Sequence, residues 1–171
     1  MRFISLVVAG LLAVSGLSSG SAKADTATPL VLEKFFAGKL SAEGHFTNVW
    51  TGARRDLKVQ MQGKWNGVVL TLKEDFVYSD GEKDQKTWNF TKLDDKTYAG
   101  TREDVVKEAK VEAVDGDILL SYVAKVGGFD LNFKDRLTEI DTKTVRNTAD
   151  VSFLGFIKVG EVELTIKRNG H

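Results

Sequence analysis

Residues 57–91 decide the fold, and they read LKVQMQGKWNGVVLTLKEDFVYSDGEKDQKTWNFT. Three stretches of alternating apolar and polar residues are separated here by two hairpin signals, Asn66-Gly67 and Asp80-Gly81. Alternation with period two buries one face of each stretch, and Asn-Gly and Asp-Gly supply the positive φ that tight hairpins need. This part of the chain therefore predicts three consecutive antiparallel strands.

Turn signals continue at similar spacing along the rest of the chain, at Asp94-Asp95, Asp115-Gly116, Gly127-Gly128, Asp141 and Gly155. The segments between them are rich in Val, Thr, Phe, Tyr and Trp, which are typical of strands. Only residues 31–37 are predicted to form a short helix, ended by Gly38. We count nine or ten strands in an all-β protein.

Consecutive hairpins without a βαβ crossover leave two architectures, an up-and-down barrel and a two-sheet sandwich. We favour an antiparallel up-and-down β-barrel of about ten strands, because the strands are long and the connections short, whereas sandwiches usually need longer crossings. Closure also removes exposed sheet edges. The short N-terminal helix is expected to cap one mouth of the barrel or to pack on its outer wall.

The composition excludes several functional classes. The 171 residues hold 24 Lys+Arg, 24 Asp+Glu and no cysteine. Thiolate metal sites, cysteine nucleophiles and disulfides are therefore excluded, and the zero net charge argues against nucleic-acid binding. His45 lies on a polar face and His171 is the last residue, so neither indicates a histidine metal site or a catalytic triad. We predict no metal, no cofactor and no nucleic-acid partner.

The N-terminus has the pattern of a secretory signal. Met1-Arg2 precedes an apolar run, and small residues lead to Ala22-Lys23-Ala24, a small-x-small cleavage site. We predict a signal peptide over residues 1–24 and a single barrel domain over residues 25–171, periplasmic or secreted and soluble after cleavage. The mature chain is expected to have no integral membrane segment and to be a monomer.

Polar residues on otherwise apolar faces are the candidate functional groups. Glu74 shares its face with Leu72 and Phe76, and Asp135 and Asn147 interrupt apolar faces of two later strands. Arg55 and Lys107 are candidate cations on apolar faces, whereas the facing of Arg102 is less certain. Aromatic residues that could supply contact area are also found along the strands, namely Phe46, Trp50, Trp65, Phe76, Tyr78, Trp88, Tyr122, Phe129 and Phe133.

A charge buried in an apolar barrel must be paired, protonated or hydrated. Three interpretations follow. The polar groups form an internal network that fixes strand register, or they hold the polar end of an apolar ligand, or the two carboxylates perform general acid–base chemistry with pKa values raised by burial. The spacing of these residues in the sequence does not distinguish among the three interpretations.

From Phe36 to its end the chain resembles a bacterial family described only as domain of unknown function 3833 (DUF3833). The resemblance rests on the following stretches: Gly63-Lys64-Trp65-Asn66-Gly67, residues 74–81 (EDFVYSDG), Trp88, Tyr98-Ala99-Gly100-Thr101, Asp104-Val105, Tyr122, Asp135, Arg146-Asn147, residues 153–155 and Val159-Gly160-Glu161. Glu74, Asp135 and Asn147 stand at motif positions. Three features depart from the family pattern: the lipoprotein cysteine is absent, Lys134-Asp135 replaces a paired Asp-Asp, and Val106 replaces a glycine.

The resemblance implies an exported, lipocalin-like (calycin-type) barrel. Family members are often lipid-anchored and commonly encoded beside fatty-acid-modifying enzymes, which favours a lipid-like ligand. We therefore predict a protein that binds or carries a fatty acid or similar hydrophobic small molecule in the cell envelope. Two alternatives remain: an isomerase or hydratase that uses Glu74 or Asp135 as general acid/base, and a structural envelope protein with a filled core. The predicted site residues are Glu74, Asp135, Asn147, Tyr78, Trp88, Tyr122, Phe133, Arg55 and Lys107.

Overall fold

The computed structural model describes residues 29–170, so the predicted signal peptide lies outside the described residues. One short helix, α1 (Leu32–Phe36), precedes ten strands, which confirms both the predicted helix and the strand count. The strands are β1 (Gly38–Asn48), β2 (Arg54–Trp65), β3 (Val69–Tyr78), β4 (Lys83–Lys92), β5 (Thr97–Thr101), β6 (Ala109–Val114), β7 (Asp117–Val126), β8 (Phe129–Asp141), β9 (Thr144–Phe153) and β10 (Ile157–Arg168).

The strands form one closed antiparallel barrel. Each strand pairs with its neighbours in sequence, and β1 closes the ring by pairing with β10 from Leu40↔Arg168 to Asn48↔Gly160. This topology confirms the up-and-down barrel and excludes the sandwich. The hairpins form where the sequence predicts them, and Gly67 and Gly81 take positive φ values of 99° and 87° at two of the turns.

Strand parity separates lumen from solvent. On β3, Leu70, Leu72 and Glu74 are buried, whereas Lys73 and Asp75 are exposed. Because successive side chains of a strand point to opposite sides of the sheet, the first set lines the lumen and the second faces water. The hydrophobic core is therefore the inside of the barrel.

Helix α1 caps one mouth of the barrel, one of the two positions predicted for it. Its aromatic residue Phe36 points into the lumen, and the Leu30 N–H just before the helix donates to the carbonyl of Gly116 at 3.2 Å. On its other side, Glu33 accepts hydrogen bonds from Lys92 (2.7 Å) and from the Tyr98 hydroxyl. These contacts fix the helix as a plug, and the opposite mouth stays open. No helix within residues 29–170 has the length and apolarity to cross a membrane.

Candidate functional site

The barrel encloses a cavity of about 640 Å³. Leu32 and Phe36 of the plug form its floor, aliphatic and aromatic side chains form its walls, and Lys125 and Glu82 stand at the open mouth. Ligand cavities in proteins commonly measure about 300–1,000 Å³ and combine apolar walls with a few placed polar groups. The lumen of this protein has both properties.

Most of the side chains predicted from strand parity meet in this cavity. Those that line it are Glu74, Asp135, Asn147, Tyr78, Trp88, Tyr122, Phe133 and Arg55. They come from six strands, β2, β3, β4, β7, β8 and β9. Their role in ligand binding stays a prediction.

Four of the candidate residues do not line the cavity, namely Lys107, Trp50, Phe129 and Trp65, which is the half-buried last residue of β2. Lys107 does not line the cavity; it is exposed in the loop between β5 and β6, because β5 ends at Thr101 and strand parity does not extend across the loop. Trp50 and Phe129 are not lumen contacts either. Both lie at hairpin tips of the open mouth, where their side chains are exposed.

Two buried carboxyl groups face each other across the lumen. Glu74 on β3 is 8% exposed and Asp135 on β8 is 7% exposed, and four strands separate β3 from β8 in either direction around the ring. Burial raises the pKa of Glu74 to about 7; the Arg102 guanidinium opposes this rise, and the Asp135 carboxylate adds to it. Burial also raises the pKa of Asp135 to about 6, against the Asn147 hydrogen bond and the Arg102 charge. Both carboxyl groups therefore change protonation near neutral pH.

Asp135 is held by an amide and Glu74 is not. The Asn147 Nδ2 donates to Asp135 Oδ1 at 2.9 Å, a diagonal contact between β8 and β9. Asp135 Oδ2 and Asn147 Oδ1 are buried without a hydrogen-bond partner within residues 29–170. The side chain of Glu74 has no hydrogen bond to any described residue. Glu74 therefore has both carboxyl oxygens free for a molecule in the cavity, whereas Asp135 has only Oδ2.

The cation nearest these acids is Arg102, whose side chain is 11% exposed. Its guanidinium lies over the ring of Trp88, with Cζ 4.6 Å from the centroid, and 5.2 Å from the centroid of Tyr122. Arg102 Nε and Nη2 donate to Asp104 at 2.6 and 3.2 Å. Stacking and a bidentate carboxylate contact hold this cation at a defined position in the lumen.

Arg102 and Asp104 belong to a larger ion network on the wall formed by β4 and the β5–β6 loop. Lys86 Nζ lies 3.2 Å from Asp104 Oδ2 and 3.0 Å from Asp84 Oδ2. Burial alone would raise the pKa of Asp104, but the two cations lower it below its usual range. The charge of Arg102 is thus balanced before any ligand enters, although part of its guanidinium fork remains available for hydrogen bonds.

Aromatic rings form a continuous band around the acids. Trp88 meets Tyr122 edge to face, with ring centroids 5.1 Å apart, and Tyr122 stacks on Phe133 at 5.0 Å. Nearer the mouth, the guanidinium of Arg55 lies 3.8 Å above the ring of Tyr78 and bonds to Asp80 and Glu82 in the β3–β4 turn. The lumen therefore offers flat apolar contacts next to polar groups.

Strand parity could have assigned two cations of the site, Arg102, whose facing the sequence analysis left open, and Lys86, which it did not name. Arg102 has the parity of the buried residues Tyr98 and Gly100 on β5, and Lys86 has the parity of Trp88 on β4. The signal was present for both. It is weaker than for Glu74 because Arg102 lies one residue beyond the end of its strand.

No group of three or more His, Asp or Glu side chains within residues 29–170 is arranged to hold a metal ion. The cavity offers two buried carboxyl groups that titrate near neutrality, the guanidinium groups of Arg102 and Arg55, one amide and a band of aromatic rings. These groups can hold the polar end of an apolar molecule, and the free carboxyl of Glu74 can accept or donate a proton.

Known structures show the same fold at low sequence identity. The S-type phycobiliprotein lyase CPES from Guillardia theta aligns with a TM-score of 0.63 and 8% identity, over 81% of this chain and 91% of that one. A protein of unknown function from the DUF3598 family of Nostoc punctiforme aligns with a TM-score of 0.60 and 12% identity, over 84% of this chain and 51% of that one. Rv2717c from M. tuberculosis aligns with a TM-score of 0.55 and 11% identity, over 79% and 93%. The barrel of this chain is thus lipocalin-like.

Similarity in sequence identifies the family. No curated protein of known annotation matches this chain. The model of one family, described as "Protein of unknown function (DUF3833)", matches residues 10–168, nearly the whole sequence. The match includes every strand of the barrel and every residue that lines its cavity. The chain is a member of the DUF3833 family.

Proposed function

We propose that this protein binds and carries a lipid-like small molecule in the cell envelope. The observation that supports this most is the cavity of about 640 Å³, closed by α1 at one end and open at the other. A barrel whose only task was structural would gain stability from a filled core, because an unfilled apolar volume forfeits packing contacts. The envelope location rests on the signal peptide predicted over residues 1–24.

The polar groups of the cavity suggest how such a ligand is oriented. The acyl or ring portion would lie along the aromatic band, and the polar end would meet Glu74 and Arg102. A carboxylate headgroup would have to approach two buried acids, and the one nearby guanidinium is already bonded to Asp104. Like charges in a site of low dielectric repel strongly. A neutral polar end, or a protonated acid, is therefore favoured over a carboxylate.

The test is to identify what the protein carries. Small molecules extracted from the purified protein are analysed by mass spectrometry, and binding of a fluorescent fatty-acid probe is titrated. Leu131→Trp places a large ring in the lumen, and Lys134→Trp, on the outer face of the same strand, is the matched control. We expect the Leu131 variant to lose both the extracted lipid and the probe, and the Lys134 variant to retain them.

Two results would contradict the carrier function. One is a wild-type protein that yields no small molecule and binds no probe, which would support the structural alternative. The other is equal binding by the Leu131 and Lys134 variants, because this would place the bound molecule outside the lumen.

A second candidate function is favoured by the state of Glu74. Its carboxyl is buried, free of hydrogen bonds to described residues, and has a pKa of about 7, which suits a general base near neutral pH. Proton abstraction from a bound lipid would exchange its carbon-bound hydrogen with solvent. Incubation of the loaded protein in D₂O should then add deuterium to the lipid with wild-type protein and not with Glu74→Gln. If the lipid stays unlabelled with both wild-type protein and Glu74→Gln, the catalytic function is contradicted and only the carrier function is supported.

A further inference from the structure

The open mouth of the barrel has an unusual rim on one side. Three hairpin turns there, β1–β2, β7–β8 and β9–β10, carry large apolar side chains in contact with water. Trp50 is 71% exposed and Phe156 is 78% exposed. We call this surface the apolar lip; it consists of Val49, Trp50, Val126, Phe129, Leu154 and Phe156.

The apolar lip is one continuous surface. In the closed ring, the strand pairs β2–β1, β10–β9 and β8–β7 lie side by side, so the three turns are neighbours. Contacts join them: Trp50 Nε1 donates to the Lys158 carbonyl at 2.7 Å, and Phe129 meets Phe153 edge to face at 6.1 Å. The opposite side of the mouth is different, because the β3–β4 turn and the β5–β6 loop carry mostly charged residues there.

One residue of the lip is held in a costly conformation. Leu154 has a φ of 54°, in the left-handed region that glycine and asparagine normally occupy, and it is 62% exposed. A leucine at such a position gains nothing from burial in the folded chain and is strained by its own Cβ.

The charged side chains around the lip are paired with one another within the chain. Lys125 pairs with Asp130 at 3.0 Å, and Lys158 pairs with Asp150 and Glu161. Arg54 is likewise bonded to Asp56. These groups are three cations and four carboxylates, so the surroundings of the lip carry only a small net negative charge. A partner recognised by its own negative charge, such as an acidic protein or nucleic acid, does not suit this surface.

We propose that the apolar lip docks on the surface of a lipid bilayer. Exposed Trp and Phe on projecting tips are suited to the membrane–water interface, where an indole ring keeps a polar contact while its apolar body enters the acyl region. The same turns frame the open mouth of the cavity, so docking brings the mouth to the bilayer and shortens the aqueous path of an apolar ligand. Docking itself does not require that a ligand be bound.

The test uses sedimentation of the purified protein with zwitterionic phosphatidylcholine vesicles. The double variant Trp50→Ser/Phe156→Ser removes the two most exposed apolar tips. The matched control, Val68→Ser/Leu93→Ser, removes two exposed apolar side chains at the plugged end. We expect the first variant to partition at least about tenfold more weakly than wild type, because it loses the burial of two large apolar side chains in the bilayer, and the control to be unchanged. N-terminal sequencing verifies that residues 1–24 are absent, so that this apolar segment does not contribute.

Salt dependence and assembly state complete the test. Binding that persists at high salt supports docking through apolar contacts, because screening weakens only charge-driven association. The proposal is overturned if wild type does not sediment with the vesicles, or if both double variants weaken equally. It is also overturned if light scattering shows a dimer that only Trp50→Ser/Phe156→Ser dissociates, because the lip would then be covered by a second copy.

Discussion

Replacing Asp135 by asparagine should stabilise the protein at alkaline pH. Asp135 Oδ2 and Asn147 Oδ1 are both buried acceptors without a partner within the described residues, and they belong to two side chains already joined by one hydrogen bond of 2.9 Å. A proton on Asp135, or an amide in its place, adds a donor beside these two unpartnered acceptors. Asp135→Asn keeps the shape of the side chain and removes the charge.

The pKa of Asp135 fixes the magnitude and the sign of this effect. Burial raises that pKa from 3.8 to about 6, so the folded state binds the proton more tightly than the unfolded state. The stability contributed by the neutral acid is complete below pH 3.8 and is lost as the pH rises through about 6. The loss amounts to about 3 kcal/mol at pH 8, at about 1.4 kcal/mol for each pKa unit. The asparagine variant does not have this loss.

Urea unfolding followed by tryptophan fluorescence measures the prediction. The difference in unfolding free energy between Asp135→Asn and wild type should increase by about 2–3 kcal/mol in favour of the variant from pH 4 to pH 8. Glu74 remains in both proteins and lowers the stability of each as the pH rises through about 7, so it largely cancels in the difference. Asp75→Asn, on the exposed face of β3, is the control and should show no such trend. A variant destabilised equally at both pH values would refute the reasoning.

Two further predictions concern the plug. Gly63→Ala should destabilise the fold by about 1–3 kcal/mol, because a Cβ there would overlap the backbone carbonyl of Phe36; an unchanged urea midpoint would contradict this close approach. Glu33→Gln loses the charge that Lys92 and Tyr98 hold, at a cost of about 1–3 kcal/mol near pH 7. Burial would raise the pKa of Glu33, but the hydrogen bonds from Lys92 and Tyr98 lower it below 4.5, its value in the unfolded chain. The stability that the ionised carboxylate contributes is therefore present above pH 4.5 and is lost as the pH falls. Urea unfolding of wild type and Glu33→Gln at pH 7 and pH 3 checks this prediction. If the variant is less stable by the same amount at both pH values, the ion pair is not the source of the lost stability.

The sequence was sufficient for the barrel and for much of the cavity lining because both follow from one periodicity. Turn signals, most of them with glycine, delimit strands of which eight have ten or more residues, and the parity of β3 and β8 places Glu74 and Asp135 on the lumen side. That the two acids stand on opposite walls follows from the topology. Parity alone gives the side of the sheet, and strand order gives the angle around the ring.

Parity fails where strands end, and the errors in the predicted site occur there. Five loop residues separate Lys107 from the end of β5, so the alternation of faces along the strand could not be extended to it. Trp50 and Phe129 occur in strand-like sequence patterns. Trp50 lies in the turn after β1 and Phe129 is the first residue of β8, and at the mouth of the barrel the side chains on both faces of the sheet are exposed to water. The position of α1 was undecided for a related reason, because its apolar face suits both a mouth and an outer wall.

The hollow itself could not be predicted from residue patterns, because it depends on how many strands the ring contains. The interior of a barrel widens with strand number, and about eight strands leave space that side chains just fill or that holds one small ligand. Ten strands make the ring wider, so inward side chains of ordinary size leave a volume at the axis. Helix α1 seals that volume at one end, and Arg102 and Asp104 enter it from the β5–β6 loop. The apolar lip borders the end of the barrel that the plug leaves open. Because the lip lies outside the cavity, ligand binding and membrane docking depend on different side chains, and each needs its own variants.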